Sequence, residues 1–247
     1  HVLYTDFLAA QTHANYLGSG RWYPYPPDLK TTADARNEKA FWNYVRTDPR
    51  NLEMVQMIAH YISNVIEDGY IENRVLNNFP GTLGYGLEKL RERHFEQILT
   101  VTQLIEQEDE ESHIFESILQ IMLSYAKFGE IKYGDEPLSD ERIQAVFGLI
   151  TDIDSALMSR SGKDRLNVVN MVLVRCWDYI ESFCEECKKR QEEAITSGGS
   201  ASLAETLSEV LGAIAGGSEI GEGSSTPVPE ASDGSEESAT AGKRERG

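Results

Sequence analysis

The chain has 247 residues, of which 41 are Asp or Glu and 23 are Lys or Arg, giving a formal charge of −18. Such a surface repels phosphate, which argues against a nucleic-acid partner, and no segment reaches the ~18–20 consecutive apolar residues of a membrane helix. A hydrophobic content of 40% supplies a sizeable core, and three cysteines confined to 176–187 suit a reducing compartment, the cytoplasm, better than a disulfide framework.

The sequence opens at His1 with neither Met nor a basic-then-apolar leader, which reads as a start inside a functional unit. A helix is expected over 2–16, stopped by Gly18-Ser19-Gly20. Residues 21–27 hold Trp22, Tyr23 and Tyr25 among three prolines, which fix the backbone and remove donors. They are expected to form an ordered aromatic loop packed onto the core. A helix over 32–46 shows Ala40, Phe41 and Tyr44 on one side, and Thr47-Asp48-Pro49 ends it and starts the next. In 52–76, Val55, Ile58, Ala59, Ile62, Val65 and Ile66 recur every three or four residues and form one apolar stripe. Residues 77–86 read as a turn-rich connection. Helices are then expected at 87–106, 112–128, 140–158 and 164–195, with Ser139 as the N-cap of the third.

The periodicity gives few strands and no internal repeat, so the fold class is mainly α, a multi-helix domain over 1–195. From 196 to 247 the composition shifts to Gly, Ser, Ala, Glu and Pro, the mark of a disordered acidic linker. Within it, 202–215 has the pattern of a short amphipathic helix, opened by Ser202 and Glu205 as a capping box.

On helix 52–76, His60, Asn64, Glu67 and Asp68 share one face opposite the apolar stripe. Charged helix faces are mostly solvated, so this face needs a second feature before it reads as a site. The start of the chain supplies one. His1 followed by VLYTDF is what remains when an HExxH motif is cut before its second His. That motif places two imidazoles on one helical face within reach of one zinc, with a Glu between them to polarise the metal-bound water.

His1 to Phe7 together with NVIEDGYIE at 64–72 resembles the metallopeptidase-like helical region of bacterial proteins that carry a C-terminal von Willebrand factor A domain, akin to cobaltochelatase-type subunits. The resemblance implies a zincin-like fold over roughly 1–195, with zinc as cofactor. It makes His1 a zinc ligand and Glu67 the third protein ligand. Asn64 would orient a ligand by hydrogen bonding, with His60 and Asp68 close by, and either Asp68 or Glu72 stands as an alternative to Glu67. It places the first His and the general-base Glu four and three residues before His1, so the chain alone would be inactive. The reaction implied is hydrolysis of a peptide or protein substrate by zinc-activated water. The alternative is a non-catalytic helical adaptor, joined through the acidic linker to a von Willebrand factor A domain and working with a ring ATPase.

Other motifs carry less. Cys184 and Cys187 have C-x-x-C spacing but sit in a helical pattern, where packing explains them. Ser161-Gly162-Lys163-Asp164 lacks the earlier glycine and the hydroxyl residue of a phosphate loop. His13, His94 and His113 have no partner at ligand spacing and read as surface or boundary residues. Glu72 has Arg74 nearby as a surface partner, and Asp6 reads as an exposed acid near a helix end.

Overall fold

The computed structural model describes residues 5–108, 113–197 and 202–216. Among them are eleven helices and no strand: α1 (Phe7–Gly18), α2 (Thr32–Thr47), α3 (Pro49–Asn78), α4 (Thr82–Gln97), α5 (Val101–Glu108), α6 (Ile114–Phe128), α7 (Glu141–Phe147), α8 (Ile150–Met158), α9 (Gly162–Arg175), α10 (Trp177–Thr196) and α11 (Leu203–Gly216). His1 and the segment 217–247, with the expectations placed on them, lie outside the described residues.

The organising element is α3. Asp48 caps it by accepting from the Arg50 backbone N–H, and Pro49 occupies the first turn, where its missing donor costs nothing. All six residues of its expected stripe are buried. The helix packs against α1, α2, α4, α6, α8, α9 and α11. Helix α9 is the second core element, with Leu166 and every residue from Val168 to Val174 buried. Aromatic rings fill the space beside them, with Trp177 edge-on to Phe41 at 5.1 Å and to Tyr44 at 5.3 Å.

Gly69 sets how closely α3 meets α6. A Cβ there would lie 2.3 Å from the Ala126 carbonyl oxygen, so only glycine lets the two backbones approach this far.

Helix boundaries depart from the expected ones in four places, the expected 87–106 helix being divided between α4 and α5. The 140–158 helix is two helices, capped by Asp140 rather than Ser139 and broken at Gly148, whose carbonyl accepts from Arg175 Nη1 at 2.9 Å. The 164–195 helix breaks at Cys176, where the chain turns so that Trp177 enters the core. The 77–86 connection is largely helical, because α4 begins at Thr82. Gly84 is there for closeness: its Cβ would lie 2.4 Å from the Phe79 carbonyl oxygen. A separate α5 then starts behind a reciprocal Thr100–Gln103 cap.

The short helix expected within the linker is α11, opened by the Ser202–Glu205 capping box. It packs against α3, α6 and α10 and buries Leu203, Leu207 and Leu211. Those leucines fall at i, i+4 and i+8, one stripe of a helix.

Candidate functional site

Glu67 lies on the half of α3 that faces α1 and α9. It is buried, and its Oε1 accepts from Arg165 Nε at 2.6 Å. Arg165 is buried too, lies 3.7 Å from the centroid of the Tyr70 ring, and donates through Nη1 to the carbonyls of Ser159 and Ser161. The guanidinium thus clamps one carboxylate oxygen and ties the start of α9 to α3. Oε2 of Glu67 is buried with no hydrogen-bond partner among the described residues. Burial pushes the Glu67 carboxyl above its ordinary range, and Arg165 opposes that shift.

A cavity of about 80 Å³ adjoins this carboxylate. Its walls are the head of α1 with Thr5 and Asp6, the α3 residues His60, Ser63, Asn64 and Glu67, and the head of α9 at Gly162 and Leu166. Asp6 caps α1 by accepting from the Ala9 N–H at 3.0 Å. A Cβ on Gly162 would lie 2.8 Å from the Asp6 Cβ, so glycine lets the two helix heads meet. Helix N-termini carry partial positive charge, which favours a carboxylate between them.

The structure therefore brings His60, Asn64 and Glu67 to one cavity wall, with Asn64 Nδ2 and His60 Nε2 3.3 Å apart at the exposed end. Asp68 is turned away from it. One residue advances a helix by about 100°, and Asp68 lines a second cavity between α3, α6 and α11. Burial raises the Asp68 carboxyl, with the Lys127 charge opposing. His60 and Asn64 border both cavities. Glu72 lines neither: it pairs with Arg91 and Lys127, each at 3.1 Å, and not with Arg74.

Two of the histidines expected at surface or boundary positions have structural partners. His13 is buried, with Nε2 2.8 Å from Asn170 Oδ1. His113 caps α6, accepting from the Phe115 N–H at Nδ1, and its Nε2 lies 3.1 Å from Ser182 Oγ. All three cysteines are buried free thiols, and desolvation pushes Cys176 and Cys187 up to about 12. The aromatic loop packs on α2, with Trp22 stacked on Phe41 at 4.9 Å, and it lines neither cavity.

Arg165, the buried partner of Glu67, lies 98 positions from it and has no local spacing to announce it. The apolar run from Leu166 to Val174 on α9 is interrupted by Asn167 and Asn170, and Arg165 stands just before it. Among the described residues, no three His, Cys, Asp or Glu side chains stand close enough to hold a metal ion together. No helix among them is long and apolar enough to cross a membrane. No family model, curated protein or solved structure matches the chain.

Proposed function

We propose that this chain forms the carboxylate side of a zinc-dependent, metallopeptidase-like hydrolytic site, with Glu67 as the ligand it contributes. The observation that carries the reading is the buried Glu67 Oε2, which lacks a partner among the described residues beside a small cavity at the head of α1. A carboxylate oxygen left bare at depth costs about 1–3 kcal/mol, more for a charged group, unless something binds it. Arg165 holds the other oxygen, so the carboxylate presents one fixed lone-pair direction to the cavity. The described chain meets that cavity at Thr5 and Asp6. Asn64 and His60, hydrogen-bonded to each other at its mouth, would orient a bound ligand in this reading.

A zinc ion bound there would supply a Lewis acid and lower the pKa of a bound water to about 7. The chain's own residues position the carboxylate, neutralise it in part through Arg165, and exclude bulk water from its inner oxygen.

Zinc content, measured by elemental mass spectrometry on the full-length natural protein, tests the assignment. Wild type should carry about one zinc per chain, and Glu67→Gln, which preserves an acceptor for Arg165, should carry at least tenfold less while melting cooperatively. Equal zinc in the two proteins removes Glu67 from the site. Absence of zinc from wild type removes the reading altogether.

A further inference from the structure

Helix α4 meets the body along one side, against α3 and α6, and of its residues only Gly84 is buried. Leu83 and Tyr85 are 61% and 62% exposed, and Leu90 and Phe79, which precedes the helix, are exposed as well. Leu83, Gly86 and Leu90 stand at i, i+3 and i+7, one stripe turned away from Gly84 and Arg91, which face α3.

Gly86 serves no contact within the described chain. Its backbone is helical, and a Cβ there would meet nothing within 4 Å, whereas a Cβ at Gly69 or Gly84 would strike a backbone carbonyl. Glycine inside a helix destabilises it relative to alanine, and what it offers in exchange is close approach of another backbone. We propose that a second copy of this chain supplies that backbone, through an antiparallel contact between the two α4 helices on a two-fold axis at Gly86.

The stripe is its own complement. A two-fold there sets residues nearly equal distances before and after Gly86 side by side, so Leu83 of one copy meets Leu90 of the other, and Phe79 meets the stem of Arg93. Charge also favours a like partner. At −18 each, two copies repel over most of their surface. Helix α4 carries no net charge, with Glu88, Glu92 and Glu96 against Lys89, Arg91 and Arg93. Two of those bases are matched within the chain, Lys89 to Glu92 at 2.6 Å and Arg91 to Glu72 at 3.1 Å. The stripe thus gives a strongly charged partner no net attraction, and lets two acidic bodies touch where neither is charged.

Sedimentation velocity on the full chain decides the matter. One helix face is a small interface, so the chain should show a monomer–dimer equilibrium with a Kd of about 1–100 μM. Added salt screens the repulsion between the acidic bodies and should tighten the dimer, and loosening by salt would contradict the proposal. Gly86→Leu and Leu83→Glu, both at exposed positions, should each weaken the dimer at least tenfold. Gly86→Ala should weaken it severalfold while raising the Tm of dilute protein by about 2–4 °C, since alanine is the better helix residue where no neighbour objects. The native thiols are buried, so oxidation of Gly86→Cys should yield a disulfide-linked dimer and oxidation of Glu92→Cys should not. A chain that stays monomeric at millimolar concentration, or a dimer that all these variants leave intact, overturns the inference.

Discussion

Asn170 shows how one buried polar side chain organises its surroundings. Its Nδ2 donates to the carbonyls of Tyr23 and Tyr25 at 2.8 and 3.1 Å, which fixes the aromatic loop onto α9. Both amide protons are thereby committed, so Oδ1 faces His13 as an acceptor, and His13 must donate from Nε2. Burial holds the His13 pKa below its ordinary value of about 6.5, with the bond to Asn170 opposing. The unfolded chain therefore takes up this proton near pH 6.5 and the folded chain only at lower pH. The stabilisation is fully present above pH 6.5 and is lost as pH falls toward the folded value. His94 and His113 are shifted in the same direction, also by burial first. Urea midpoints at pH 7.5 and 5.5 should show a loss on acidification that is smaller in His13→Gln, which still donates to Asn170. An identical loss in both proteins would contradict this account. The sequence hid the pair because partners 157 positions apart leave no local spacing to read.

At the scale of the element, the α3–α6 contact gives a prediction whose sign is informative. Alanine in a helix interior is ordinarily favoured over glycine by roughly 0.5–1 kcal/mol. At Gly69 the new Cβ would sit 2.3 Å from the Ala126 carbonyl oxygen, a backbone atom unable to rotate away. Overpacking of this kind costs about 1–3 kcal/mol and should win. Chemical denaturation of Gly69→Ala should show a loss of that order, and a gain would mean that α3 and α6 are not this close. Periodicity made α2, α3, α6 and α11 legible because each buries a regular stripe. It merged α9 with α10, since Cys176 is neither glycine nor proline and the turn there serves the burial of Trp177. The glycines of 77–86 suggest turns, although Gly84 sits inside α4 through glycine's second use, close approach of backbones. The break between α7 and α8 had a signal in Gly148, and its fixing contact, Arg175, lies 27 residues away.

At the scale of the molecule, two of the cavities beside α3 share His60 and Asn64 as their common border, in a bundle centred on α3 and α9. The mainly α class was readable from composition and period alone. The candidate site was readable only as a helix face, because a face cannot say which of two adjacent acids points inward. The fold sends Glu67 toward α1 and α9, where Arg165 meets it, and Asp68 toward α6 and α11. Helix α11 also changes meaning at this scale: its leucine stripe closes the larger cavity and belongs to the packed body.

The central proposal is that Glu67 Oε2 is a zinc ligand. Anomalous diffraction at the zinc edge, from crystals of the full-length natural protein, tests it most directly. The account predicts a single strong peak about 2.0–2.2 Å from Glu67 Oε2, with Oε1 still held by Arg165. A zinc peak at any other carboxylate, or zinc-loaded crystals with none near Glu67, would contradict it.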